Sequence, residues 1–166
     1  MSILTVNNFT GEYLVPNLTG LGPAVTGNLS ELTGFITKYE PEYLKQVLGA
    51  TLYAVLMTGL KSESVDERWV ELAKKLDGSE TQSPITGYVY YHWARNRVTV
   101  TGALGELEPT AENAAVVVGE KMMRAYNDSV RGGRLVYDWL IEHQADYPEF
   151  DPYTAYSLET INMFGL

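Results

Sequence analysis

A stretch from Thr110 to His143 that reads as one helix constrains this chain more than any other feature, because no competing hydrophobic segment of similar length stands beside it. Continuous, it would run about 50 Å at ~1.5 Å per residue. Its start is signalled by Pro109, by Thr110 as an N-cap, and by Glu112 and Asn113 near the unpaired first-turn amides. Its end is marked by Tyr147-Pro148, since the residue before a proline is pushed out of helical geometry. Between these limits Val118, Met122, Ala125, Tyr126, Val130, Tyr137, Leu140 and Ile141 recur at three- and four-residue steps, with charged residues largely between them. That stripe predicts a core-facing helix. Gly132-Gly133 interrupts it: two glycines cost roughly 2 kcal/mol relative to two alanines, so a kink, a break and a straight rod are all compatible with the pattern.

Upstream, the same reading gives several shorter helices. Asn28 or Ser30 opens a segment with Leu32, Phe35, Ile36 and Tyr39 on one side, and Glu40-Pro41-Glu42 then reads as the start of a second helix, closed by Gly49. Ala50 to Leu60 is a third apolar segment. Ser64 opens a helix that buries Trp69, Leu72 and Leu76 and stops at Asp77-Gly78, and Ser83-Pro84 opens one carrying Ile85, Tyr88, Val89, His92 and Trp93. The expectation is an all-α bundle of five to six helices with one long C-terminal helix and little strand, the β-branched patches Val98 to Thr101 and Val116 to Val118 being the weakest points of that pattern. Residues 29–146 form the helical domain in this reading.

Two terminal arms flank it. Residues 1–28 are dense in turn formers, Gly11, Pro16, Gly20, Gly22-Pro23 and Gly27 among them, and read as an extended N-terminal arm. Residues 147–166 hold Tyr147, Phe150, Tyr153, Tyr156 and Phe164 with two prolines and no base, and read as an aromatic, acidic C-terminal arm suited to docking on a partner.

The 166 residues include no run of 18 apolar ones, so no membrane span is expected, and a chain of this length can bury about 70% of its unfolded surface. The first residues offer no basic n-region and no sustained apolar core, so the expectation is a protein without a leader, made in the cytoplasm. With no cysteine, disulfides and thiolate chemistry are excluded. His92 and His143 lack helix-spaced ligand partners, so no metal site is expected, and no phosphate-cradling glycine motif or nucleophile elbow suggests a cofactor or a hydrolase. No residue pair stands out for catalysis, which leaves a small enzyme as the least favoured reading of the residues.

The net charge of -9 opposes a surface built to neutralise phosphates. Its distribution says more. All twelve Lys and Arg lie between Lys38 and Arg134, whereas residues 135–166 carry six acids and no base. Acids 138–159 on one copy facing Arg95, Arg97, Arg131 or Arg134 of a neighbour would join subunits through dissimilar, complementary patches.

The order FITKYEPEYLKQVLGATLY, a W-x-x-L helix at Trp69 to Leu72, GYVYYHWARNRVTVTGALGE and EKMMRAYNDSVRGGRLVYDWLIEHQADYPEF, covering roughly Ser30 to Phe150, resembles the head-tail connector (adaptor) proteins of tailed phages and Bacteroidetes prophages. The resemblance implies a structural protein of the virion neck, made in the host cytoplasm, forming a homo-oligomeric ring of about twelve copies with closed symmetry. It further implies a portal protein on one side, a tail or stopper protein on the other, and DNA passing through the channel without sequence-specific binding. Two alternatives remain: another virion neck or tail-completion protein, or a cytoplasmic helical regulatory or DNA-binding protein using Arg95-Asn96-Arg97.

Overall fold

Helix dominates the architecture of a computed structural model that describes residues 2–79, 82–98, 100–102, 105–107 and 112–162. Four helices occur among these residues: α1 (Pro23–Gly59), α2 (Glu67–Asp77), α3 (Pro84–Val98) and α4 (Glu112–Glu142). The expected five to six reduce to four because segments read as separate are fused. α1 begins at Pro23, inside the stretch read as an arm, where proline at the first helical position follows Gly22. It then runs through Pro41, which was expected to open a new helix. The helical geometry is broken at Gly49, whose φ of 78° and ψ of 160° suit glycine and strain other residues.

Local chemistry sets the remaining ends. Asp66, and not Ser64, caps α2, its carboxylate accepting the Arg68 backbone N–H at 3.1 Å, and Gly78 closes it in the left-handed region. The Ser83 hydroxyl ties α2 to α3 by donating to the Leu76 carbonyl at 2.7 Å and accepting the Thr86 N–H at 3.3 Å. After α3, β1 (Val100–Gly102) pairs antiparallel with β2 (Gly105–Leu107), so Val100 and Thr101 of the β-branched patch that weakened the all-helical reading lie in a short ribbon. The cap expected at Thr110 lies outside the described residues.

α4 packs chiefly on α3, and α3 on α1. Gly132-Gly133 does not interrupt α4; these residues are points where neighbouring elements approach closely. A Cβ at Gly133 would lie 2.6 Å from the Tyr43 hydroxyl, and one at Gly132 would lie 2.8 Å from Pro84. Gly87 does the same from α3, where a Cβ would meet the Ala125 carbonyl at 2.6 Å.

Both ends of the chain are folded onto this frame. Leu4, Phe9, Tyr13 and Val15 are buried, so the N-terminal segment read as an arm lies on the chain's own core. Its anchor is Glu40, 2% exposed, which accepts the Leu4 N–H at 2.8 Å, the Ile3 N–H at 3.0 Å and the Ser2 hydroxyl at 2.6 Å. Charge-assisted bonds of this kind offset the desolvation of a buried carboxylate. The segment after α4 also turns back, with Tyr147, Phe150, Ala155 and Leu158 in the core.

Candidate functional site

The residues singled out from sequence fall into three structural groups. Tyr147 and Phe150, expected to meet a partner, are 1% and 3% exposed and pack inside the chain. Tyr147 lies edge-on to Trp69 and to Trp139, with ring centroids 6.0 and 5.3 Å away, and donates its hydroxyl to the Arg68 carbonyl at 2.7 Å. Burial, aided by Glu71, pushes this phenol up to about 12. Phe150 meets Tyr137 edge-on at 5.6 Å. Burying each large apolar ring is worth about 2 to 3 kcal/mol, which outweighs the turn formers that made this segment look irregular.

Tyr156 is half-buried with a φ of 59°, and its hydroxyl donates to the Val130 carbonyl at 2.6 Å. Arg134 holds it in place. The guanidinium lies 5.5 Å from the Tyr156 ring and 5.0 Å from that of Tyr137, and pairs with Asp138 at 3.1 Å. Beyond it, Asn127 clasps the Ile161 backbone, accepting its N–H at 2.8 Å and donating to its carbonyl at 2.9 Å.

Three of the four arginines expected to bridge subunits, Arg97, Arg131 and Arg134, have carboxylates in their own chain. Arg131 pairs with Asp128 at 2.7 Å, while Arg97 pairs with Glu31 and also donates to Asn28 at 2.7 Å. Arg95 is exposed and reaches the Tyr91 hydroxyl at 3.4 Å. Sequence reading missed the base that does meet the acidic tail. Arg68 grips Glu149 with two bonds of 3.2 Å, donates to the Asp146 carbonyl at 2.8 Å and lies 4.0 Å from the centre of the Trp69 ring. A lone arginine beside a buried tryptophan was the available signal. Glu40 carried a clearer one, since it sits in register with Ile36, Tyr43, Leu44 and Val47.

Tyr153 differs from the rest, at 98% exposed. Asp151 turns the chain beneath it, its carboxylate accepting the Tyr153 N–H at 3.0 Å, while the Tyr137 hydroxyl donates to the Pro152 carbonyl at 3.3 Å. Phe164 lies outside the described residues.

Elsewhere, α1 and α3 border an open cleft of about 680 Å³ lined by Lys38, Arg95 and Asn96 among others. Its floor is a run of rings: Phe35 stacks on Tyr39 at 5.6 Å, and Tyr39 on His92 at 3.8 Å and 8°. Burial lowers the His92 pKa to about 4, with Glu42 opposing and Arg95 and Lys38 adding to the fall, so the imidazole is neutral at pH 7. Its Nε2 is buried and has no hydrogen-bond partner among the described residues. His143 instead closes α4, with Nδ1 2.8 Å from the Trp139 carbonyl.

Among the described residues, no group of three or more His, Asp or Glu is arranged to hold a metal ion, and no helix is long and apolar enough to cross a membrane. No protein-family model matches this chain, and neither does a curated protein or a solved structure.

Proposed function

We propose that this protein is a structural subunit of a tailed-phage neck, a head-tail connector that assembles as a ring of about twelve copies between portal and tail and encloses the DNA channel. The observation that carries the reading is Tyr153, a 98% exposed aromatic held on an ordered turn within a base-free acidic stretch. The chain folds Tyr147 and Phe150 inward yet presents this ring to solvent. Exposed aromatics on ordered loops are what protein interfaces use as anchors.

In this reading α4 is the long C-terminal helix of the bundle, and α1 counts as two helices that meet at Gly49. The exposed acids Glu142, Asp146, Asp151 and Glu159 give the C-terminal part of the chain a negative surface. A channel wall of that sign lets a duplex slide, because it offers few cations to replace the counterions of DNA. The portal and a tail or stopper protein are the partners, and the chain performs no catalysis.

Light scattering of the purified protein, alone and after addition of the candidate portal ring, tests the reading. The expected result is a mass of about twelve subunits, free or added to the portal. A chain that stays monomeric and ignores the portal contradicts it.

A further inference from the structure

Two separate features of the chain bear on how copies could meet. The first is the α1–α3 cleft, with its stacked floor of Phe35, Tyr39 and His92 and its cationic rim. Lys38 is exposed there, with Nζ 4.8 Å from the centre of the Tyr39 ring, and pairs with no carboxylate among the described residues. The second is the Asp151-Pro152-Tyr153 turn. Because that turn is already fixed by its own hydrogen bonds, ordering it in an interface costs little further entropy.

One copy cannot join the two. Gly49 lies against Thr154 and Ala155, whereas Phe35 is fourteen residues earlier on α1, about 20 Å away along the axis at ~1.5 Å per residue. A knob and a socket so separated make a head-to-tail contact, in which each copy uses one patch to receive and the other to insert.

We propose that Tyr153 of one copy inserts into the α1–α3 cleft of a second copy, its ring on the Phe35–Tyr39 stack and Asp151 facing Lys38 and Arg95. The inference rests on the assembly reading and specifies its subunit contact. Charge supports the assignment: the knob belongs to residues 135–166, which carry no base, and the rim of the socket carries two. A nucleic acid would also find stacking rings and cations in the cleft, but a polyanion is opposed by Glu31 on the same rim and by a net charge of -9.

The absence of cysteine makes a direct test clean. Asn96→Cys on the rim of the cleft and Thr154→Cys beside the knob, both sparing the proposed contacts, are purified separately, mixed and mildly oxidised. The expected product is a mixed disulfide dimer, several-fold above what either variant forms alone, and adding Tyr153→Ala to the Thr154→Cys chain lowers its yield by roughly thirtyfold, as loss of an anchor residue does. Wild-type protein that assembles while the mixture gives no excess of mixed dimer overturns the contact and leaves the assembly reading standing. A yield indifferent to Tyr153→Ala also overturns it, as does oligothymidylate binding abolished by Lys38→Glu without any mixed dimer. Wild-type protein that remains monomeric with and without the portal removes both.

Discussion

Glu40 and His92 are polar groups placed against an apolar interior, and they make opposite demands on it. Glu40 is satisfied by three donors from residues 2–4, so the N-terminal segment is held by charge as well as by its buried Leu4 and Phe9. Glu40→Ala leaves two backbone amides without their acceptor and is expected to cost about 2 to 3 kcal/mol, the range for bonds to a charged group. Urea denaturation measures the loss, and hydrogen exchange should show the Ile3 and Leu4 amides losing protection first. Unchanged protection would mean that apolar packing alone retains the segment. His92 lacks a partner for Nε2 and has its pKa lowered to about 4 by burial. A group whose folded pKa lies below its unfolded value near 6.5 leaves stability intact above that value. Stability is then lost as pH falls toward 4, because the unfolded chain takes up the proton first. His92→Phe is expected to flatten the slope of thermal stability against pH in this window relative to wild type, and identical slopes would contradict the assignment.

Where helices meet, the glycines of this chain serve close approach. Gly133 admits the Tyr43 hydroxyl, which donates to the Ser129 carbonyl at 2.7 Å and joins α1 to α4. Gly133→Ala gains up to about 1 kcal/mol of intrinsic helix propensity. Even so, net destabilisation is expected, because the added carbon would sit 2.6 Å from a buried hydroxyl whose ring has little room to move. Chemical denaturation decides the sign, and a stabilised variant would mean that α1 and α4 separate easily. The same residues show what was legible in the sequence. Helical periodicity located α2 and α3 and most of their buried faces, because amphipathic spacing is a local property. Pro41 was expected to open a new helix, and Gly132-Gly133 left a kink, a break and a straight rod all open, since propensity counts what such residues cost a helix and not what a neighbouring element gains from them. Tyr147 and Phe150 were misread as a docking arm because Trp69 and Trp139, the rings that receive Tyr147, come from different elements that only the fold brings together. Of the candidate contacts, Tyr153 is the aromatic that the described structure leaves open to a partner.

As a whole molecule, the subunit has an acidic, aromatic end and a cationic cleft, and this asymmetry relates the fold to the proposed assembly. Dissimilar, separate patches favour head-to-tail contacts, which close into a ring or continue as a filament according to the rotation between copies. In the proposed ring the chain's acidity would bear on the lumen, where repulsion of phosphate would lower friction on a passing duplex. Negative-stain imaging of the purified protein, free and on its portal, with the rotational symmetry counted from averaged end views, tests the central claim most directly. Closed rings of about twelve copies around an open channel are the predicted result, as expected for a heterologous interface that closes. Single subunits or open filaments in both preparations would contradict it.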